Sequence, residues 1–546
     1  MIIRTQSDRL FKDLTQKHRQ AFPCGGGGLC GKCKVKVLTD PLPPASPEDQ
    51  RVLDSQDLME GYRLACHMPA GYEVEVFFQE GKRSLSKDQA TILSKGKLAS
   101  FLVDPVIQLK GSNIYYNGQL VGPVQGKGLN ALVVDIGSTT LVVSLVDLER
   151  AKEITSLTAL NPQRVFGEDV MSRISTIQKE PERLNEMQAM LIQVIKDLGI
   201  QLCQETGYEP TSIYGVFVAA NAVMNHILLN TTPVPLGLAP YPLQYQGVQE
   251  RLFSDMDLDD FGQGIVATLP NISAFVGGDI LAGILATGLH RQEGTVLLVD
   301  IGTNGELVLN HQGQLFSTSC AAGPALEGMN IGCGMMAGPG AIEEAKFVHQ
   351  RLRYKTINRA KAVGICGSGI LALVREYLKV GLIQPSGRIA TEDQVDSALH
   401  DYLDLEHKRL WVDKRRKLFL SQKDIRQIQL AKGAILSGIQ ALLQEAHLAE
   451  DQIDQVYIAG QFGSYVQAAS LIGVGIIPQS LEDRIDYVGN TAKSGAHLFA
   501  LNQSLYNHSS QLANGIRHIE LSLLDHYDRL FAKAALFPQQ RKESKK

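Results

Sequence analysis

At 546 residues, with 44% hydrophobic and 20% charged residues and a formal net charge of −4, the chain has material for three or four domains, each with its own core. The near-neutral charge removes any global electrostatic case for a nucleic-acid partner, and the basic runs "DKRRK" (413–417) and "RKESKK" at the end read as solvated surface. No run of about eighteen apolar residues occurs, and the N-terminus carries charges where a signal peptide needs an apolar core, so the sequence reads as cytoplasmic with no membrane partner.

The first distinctive stretch is "FPCGGGGLCGKCKVKV" (22–37). Cys24, Cys30 and Cys33 have the spacing C-x5-C-x2-C, and Cys66 follows in "YRLACHMP"; these are four of eight cysteines, the rest falling singly. Uneven cysteine usage in a reducing compartment argues for a metal site rather than disulfides. Zinc ribbons present two similar pairs, and a lone C-x-x-C redox motif leaves Cys24 and Cys66 without a role. Three thiolates in one loop and a distant fourth suit a [2Fe–2S] cluster, with a structural zinc site as the alternative. The glycines let the loop wrap tightly and aim N–H groups at cluster sulfurs. "CKVKVLT" and "YEVEVFF" (72–78) alternate as strands do. The loop resembles the [2Fe–2S] ferredoxin fold, nearer the adrenodoxin-like spacing. Its opening hairpin is cut down to "MIIRTQ" before an expected helix "DRLFKDLTQKHRQAF".

A polar segment (about 80–105) and a short β-like piece, "NIYYNGQLVGP", come next. Then "LVVDIGSTTLVVSLVD" (132–147) and "LLVDIGTNGELVLNHQGQLF" (297–316) repeat one pattern of strand, tight turn and strand, aligned on Asp135 and Asp300. Such a repeat predicts two related lobes. An apolar strand ending in Asp places a carboxylate where it can hold Mg²⁺ through water. Gly137 and Gly302 let the backbone approach phosphate, and Ser138, Thr139, Thr140, Thr303, Asn304 and Gly305 offer hydroxyls and N–H groups to it. Phosphoryl chemistry needs mainly such positioning and charge neutralisation. "AFVGGDILAGILATGL" (274–289), with Gly277, Gly278 and Asp279, reads as a strand running into a helix. "VGICGSGILALVREYL" (363–378) is a glycine turn entering a helix at Gly367, and "VYIAGQFGSYV" (456–466) ends a strand in Gly460 and Gly463. All three fit the same nucleotide cleft, with Gly277, Gly278, Asp279 and Gly367 at helix entries whose N–H groups can meet an anion and Gly460 and Gly463 suited to close approach by an adenosine. Each alone could also be only a helix entry with packing glycines. Cys203, Cys320, Cys333 and Cys366 read as buried small residues, and His226 as a structural histidine.

Residues 130 to about 505 resemble the acetate and sugar kinase, Hsp70 and actin superfamily, with phosphate-1 (135–140), phosphate-2 (300–306) and adenosine (457–463) motifs. With the N-terminal module, the whole chain resembles the reductive activators of corrinoid proteins. "NPQRVFGEDVMSRI" (161–174), "CAAGPALEGMNIGCGMMAGPGAIE" (320–343) and "SQKDIRQIQLAKGAI" (421–435) look like that family's signatures. The resemblance implies an α/β and α+β multidomain protein. A β-grasp [2Fe–2S] ferredoxin-like domain (1–80) is followed by a linker with a small β segment (81–128), two duplicated ribonuclease H-like lobes of an actin/Hsp70-like ATPase (129–295 and 296–536) and a basic tail (537–546).

It further implies Cys24, Cys30, Cys33 and Cys66 as cluster ligands, and Asp135 and Asp300 as carriers of Mg²⁺–ATP. Glu306 would position the attacking water, Gly460 and Gly463 would receive adenosine, and Lys432 would stack near it. A low-potential donor of ferredoxin or flavodoxin type would supply one electron, and the client would be a Co(II) corrinoid protein restored to Co(I) for methyl transfer. The segment 317–328 is expected to face the corrinoid through Ser317 or Ser319, and a homodimer through the ATPase half fits the family. Competing readings are an ATP-dependent electron donor to another enzyme, a sensor of nucleotide and redox state, and a small-molecule kinase. The tail after about 505 reads as a strand followed by a helix.

Overall fold

The computed structural model describes residues 2–4, 33–53, 55–69, 71–76, 101–460 and 466–539. The helix expected at "DRLFKDLTQKHRQAF", Cys24, Cys30 and Gly463 lie outside them.

In the N-terminal module, β1 (Ile2–Arg4), β2 (Lys34–Val37), β3 (Tyr62–Leu64) and β4 (Glu73–Val76) form an antiparallel sheet in the order β1-β4-β2-β3. "KVKV" and "EVEV" alternate at the two-residue period of a strand. Val35, Val37, Val74 and Val76 therefore share one buried face, with Leu64, Ala65 and Met68. Helices α1 (Pro47–Val52) and α2 (Ser55–Met59) lie between β2 and β3.

The remaining described residues fall in two compact units, one containing 103–278 and 499–507 together with the N-terminal residues, the other 101–102, 279–498 and 508–539. The first begins with a small sheet of β5 (Ile107–Lys110), β6 (Asn113–Tyr116) and β7 (Gln119–Pro123). It continues with β8 (Asn130–Ile136), β9 (Thr140–Asp147), β10 (Lys152–Leu160), α3 (Val170–Lys179), α4 (Arg183–Thr206), β11 (Ile213–Ala220), α5 (Ala222–Leu228), β12 (Gln249–Leu252) and β13 (Ile265–Thr268). The sheet order is β10-β9-β8-β11-β13-β12. β8, β9 and β10 meander antiparallel, while β11 and β13 add in parallel on the other side of β8. β11, "IYGVFVAA", is buried along its whole length, as expected of a strand covered on both faces.

Helix α6 (Gly278–Thr287) leads to the second unit. Its main sheet holds β14 (Thr295–Ile301), β15 (Gly305–His311) and β16 (Gln314–Cys320). β17 (Ala341–Val348), β18 (Arg351–Thr356), β19 (Gly364–Ile365), α7 (Gly367–Lys379), β20 (Leu403–Asp404), β21 (Arg409–Asp413), β22 (Leu418–Ser421) and α8 (Gln422–Glu445) follow. Then come β23 (Gln455–Ala459), α9 (Ala468–Val474), β24 (Ile485–Gly489), α10 (Thr491–Leu501), α11 (Gln503–Gly515), β25 (Arg517–His518) and α12 (Tyr527–Ala534). The main sheet order is β24-β23-β14-β15-β16-β25. β14, β15 and β16 meander antiparallel, and β23 and β24 add in parallel beside β14. Both units thus carry the same five-strand topology, the ribonuclease H-like arrangement, which is what the repeated Asp-Ile-Gly hairpin predicts. They differ at the sixth strand: β12 adds antiparallel to β13, whereas β25 adds parallel to β16.

Three local expectations are corrected. Residues 272–276 are bends rather than a strand, because the N–H groups of Ile272 and Ser273 both donate to the Val276 carbonyl at 2.9 Å. The tail opens with helix α11, and only then the short β25 and α12. Leu505, Tyr506, Ser509 and Ala513 are its buried positions, a helical spacing. Residues 317–320 belong to β16 rather than to a loop. Ser317 is buried with its Oγ 3.3 Å from His518 Nδ1, so it presents no hydroxyl to a partner.

Candidate functional site

Cys33 immediately precedes β2, and Cys66 sits in the 3₁₀ turn Ala65–His67 after β3. The β2–β3 register sets Lys34 opposite Leu64, and the Ala65 N–H donates to the Cys33 carbonyl at 2.9 Å. Pairing therefore brings the two sulfurs to 3.3 Å. That is far beyond the ~2.05 Å of a disulfide. It is close to the roughly 3–4 Å between two sulfurs on one tetrahedral metal with bonds of ~2.3 Å. The donor set fits an iron–sulfur centre.

β3 is anchored from α1. Asp49 Oδ1 accepts from the Leu64 N–H at 2.7 Å, and its Oδ2 accepts from the Ser46 N–H at 2.8 Å. The buried Arg63 guanidinium donates to the Pro43 carbonyl from Nε (3.1 Å) and Nη2 (2.8 Å). Neither anchor was among the sequence candidates, although "SPED" (46–49) spells a capping box.

In the first unit Asp135 stands next to last in β8, and residues 137–140 close the hairpin, the Gly137 N–H donating to the Thr140 carbonyl at 2.9 Å. Asn161 donates from Nδ2 to the Gly137 carbonyl at 2.8 Å, and from its backbone N–H to the Thr139 carbonyl at 2.8 Å. Asn221, the N-cap of α5, reaches Ser138 Oγ at 3.4 Å. Among the described residues Thr139 Oγ1 is buried with no hydrogen-bond partner, and such a group asks for a water, an ion or a ligand. Gly277 and Gly278 have a packing reason: a Cβ would lie 2.4 Å from Asn221 Cα at the first and 2.6 Å from the Leu269 carbonyl oxygen at the second.

In the second unit Asp300 ends β14 in the same way, and 302–304 close the turn, the Gly302 N–H donating to the Asn304 carbonyl at 2.9 Å. Gly305 starts β15, opposite Ile301. Thr303 Oγ1 donates to Glu327 Oε1 at 2.9 Å, which folds the 3₁₀ turn Pro324–Glu327 onto the phosphate-2 turn. Gly460 follows β23 with φ +84°, and a Cβ there would sit 2.4 Å from Asp300 Oδ1. Gly367 opens α7 behind the N-cap Cys366.

Glu306 faces Asp300 across the β14–β15 pair. Its burial, with the Asp279 and Asp300 carboxylates beside it, raises its carboxyl well above the ordinary value. The folded chain then binds a proton there that the unfolded chain, with a glutamate near 4.3, has already released. Stability should therefore fall as pH rises above about 4.3. In nucleotide-free protein, Glu306→Gln should flatten that fall in a pH series of thermal melts.

Lys432 does not present its amine to a nucleotide. It is buried in α8 and donates from Nζ to the carbonyls of Ala534 (2.6 Å) and Leu536 (2.7 Å), closing the end of α12; burial lowers it to about 8. Lys432→Met would leave two buried carbonyls unmatched and should cost about 2 kcal/mol in a urea titration. Nucleotide affinity should be untouched; a selective loss of affinity would restore the stacking role.

Among the described residues no cluster of three or more His, Cys, Asp and Glu suits a metal ion. Cys203, Cys320 and Cys366 are buried, consistent with packing, whereas Cys333 is only half-buried, contrary to expectation. His226 is buried in α5, its Nδ1 2.7 Å from the Ala222 carbonyl and its ring stacked on Tyr245 at 4.5 Å.

A ferredoxin-like module followed by two ribonuclease H-like units, each ending a central strand in Asp-Ile-Gly, places the chain in the ASKHA fold class. Three family descriptions match it in order: a 2Fe-2S iron-sulfur cluster binding domain over 13–71, the RACo middle region over 130–292, and the C-terminal domain of RACo, the ASKHA domain, over 294–546. The chain belongs to the RACo family of reductive activators. It is 29% identical over 408 residues to the corrinoid activation enzyme RamQ of Eubacterium limosum, covering 72% of this chain and 68% of that one. Identity to the [Co(II) methylated amine-specific corrinoid protein] reductase of Methanosarcina barkeri is 24% over 424 residues, with 70% and 72% covered. A solved structure of a reductive activator for corrinoid, iron-sulfur protein aligns over 98% of this chain and 96% of its own, with a TM-score of 0.71 and 26% identity.

Proposed function

We propose that this chain reduces an inactive Co(II) corrinoid protein to Co(I) with one electron, in a reaction coupled to conversion of ATP and water to ADP and phosphate. The observation that carries this reading is the joining, in one chain, of a cysteine pair 3.3 Å apart on a ferredoxin-like sheet to a duplicated Asp-Gly hairpin. Both relatives quoted above are named for corrinoid activation or reduction. When bound by Cys24, Cys30, Cys33 and Cys66, a [2Fe–2S] cluster supplies a one-electron store, typically near −400 mV for the plant type. A corrinoid about 100 mV more negative makes the transfer unfavourable by roughly 50-fold.

The two Asp-Gly turns are where the chain would offset that gap. Asp135 and Asp300 hold Mg²⁺–ATP, while Ser138, Thr139, Thr140, Thr303 and Asn304 contact phosphate. Gly460 keeps the strand end open beside Asp300, and Gly463 continues that motif. Glu306, whose carboxyl is held high by its burial and by Asp279 and Asp300, would ionise more readily once a cation neutralises them and then orient water. ATP turnover changes the chain's affinity for its client, and differential affinity is the only means by which a ligand can shift such an equilibrium. The donor is a ferredoxin or flavodoxin type protein, the setting cytoplasmic, and the ATPase half a site of homodimer contact.

The test is anaerobic. Chain, a low-potential reductant and a Co(II) corrinoid protein from the same cell are mixed, and Co(I) absorbance is followed with and without Mg–ATP. Catalytic, ATP-dependent Co(I) growth supports the reading. ATP consumption with the corrinoid left at Co(II) turns it towards another client.

A further inference from the structure

Among the described residues, Arg173 in α3 is one of the largest fully buried side chains. Its guanidinium donates from Nε to the Gly167 carbonyl at 3.0 Å, from Nη1 to Gln163 Oε1 at 3.3 Å and to Met224 Sδ at 3.1 Å, and from Nη2 to the Ser138 carbonyl. None of these partners is a carboxylate. Burial lowers it to about 10, partly offset by Glu168 and Asp169 nearby, so the group is charged at neutral pH. An unpaired buried cation is costly and asks for a reason.

The reason lies in the peptide plane. In a trans peptide the C=O and the following N–H point in opposite directions. Arg173 draws the Ser138 carbonyl inward, which turns the Thr139 N–H outward. Asn161 draws the Gly137 carbonyl inward, which turns the Ser138 N–H outward. Among the described residues neither N–H has a protein acceptor, and Thr139 Oγ1 beside them is orphaned. Two adjacent outward N–H groups and a free hydroxyl make an anion nest, here backed by a buried positive charge. Gln163 completes the brace: its Oε1 accepts from Arg173 while its Nε2 donates to the Met187 carbonyl at 3.0 Å.

We infer that Arg173, with Asn161 and Gln163, is a positioning residue that orients the Ser138–Thr139 backbone for the phosphates of a nucleotide, an inference that rests on the nucleotide reading above. It gives "NPQRVFGEDVMSR" its physical role: Asn161, Gln163 and Arg173 underlie the phosphate-1 turn from the side opposite the ligand.

The experiment compares ADP with adenosine on the full-length protein, by calorimetry, for wild type, Arg173→Gln, Arg173→Lys and Asn161→Ser. A phosphate brace predicts ADP affinity ~10–100-fold weaker in Arg173→Gln, the scale for residues that orient a site from behind. Arg173→Lys should recover part of it, and adenosine affinity should be unchanged throughout. Equal losses for ADP and adenosine, unchanged ADP affinity in a folded variant, or loss of fold in all three variants would overturn the assignment in favour of a purely structural arginine. Wild-type protein that binds neither ADP nor ATP would instead remove the nucleotide reading itself.

Discussion

Replacing Cys66 by serine should reduce Co(II) reduction to the uncatalysed background while leaving ATP hydrolysis within about twofold of wild type. Cys66 is buried, and its sulfur lies 3.3 Å from that of Cys33 through the β2–β3 pairing. Serine preserves the shape and the turn, but its hard hydroxyl is a poor exchange for a soft thiolate at iron. The effect should appear first as loss of the visible absorbance and EPR signal of the reduced protein. The nucleotide residues belong to other sheets, so phosphate release should persist. Retained cluster signals together with full Co(I) production in Cys66→Ser would mean that this pair does not hold the redox centre.

The second large effect is expected from a single methyl group. Gly460→Ala should slow ATP hydrolysis by ~100-fold, with a modest fall in melting temperature from the strained backbone. Gly460 has φ +84°, and its would-be Cβ lies 2.4 Å from Asp300 Oδ1 and 3.1 Å from the Ile301 carbonyl oxygen. The backbone conformation is one that residues with a Cβ seldom adopt. Relief must come from moving the strand end or the carboxylate. A displacement of about 1 Å at a reacting centre is enough for a loss of this size. Steady-state phosphate release distinguishes the outcomes. An alanine variant with wild-type kcat and KM would show that Asp300 tolerates the shift and does not position Mg²⁺–ATP. The Cys66 and Gly460 variants should also dissociate in the coupled assay: the first hydrolyses ATP without making Co(I), whereas the second keeps its cluster and loses ATP-dependent turnover.

Much of this architecture is legible in local pattern. The two-residue alternation of "KVKV" and "EVEV" identifies strands, because a sheet with one buried face needs it. The recurrence of Asp-Ile-Gly at 135 and 300 identifies a duplication, because each strand must end in the same turn to place its carboxylate. The role of Lys432 was not legible. A lysine on an amphipathic helix looks available from sequence, and only the return of residues 534–536 to α8 shows its amine already committed to two carbonyls. Ser317 likewise sits in a stretch rich in small residues that reads as a loop, yet register with β15 makes it part of a strand of the main sheet, where it is buried. Asn161 and Gln163 were visible only as part of a signature without a task.

The order of modules, the cysteine spacing and the two hairpins are each written within a few neighbouring residues and follow from local geometry. Tertiary structure decided which side chains are spent on the fold and which are left for chemistry. Arg173 lies far along the chain from Ser138, and the two meet because α3 packs against the β8–β9 turn. Hydrogen bonds of that kind depend on where distant segments come to rest, and burial then enforces them, because a polar group shut away from water must find a partner.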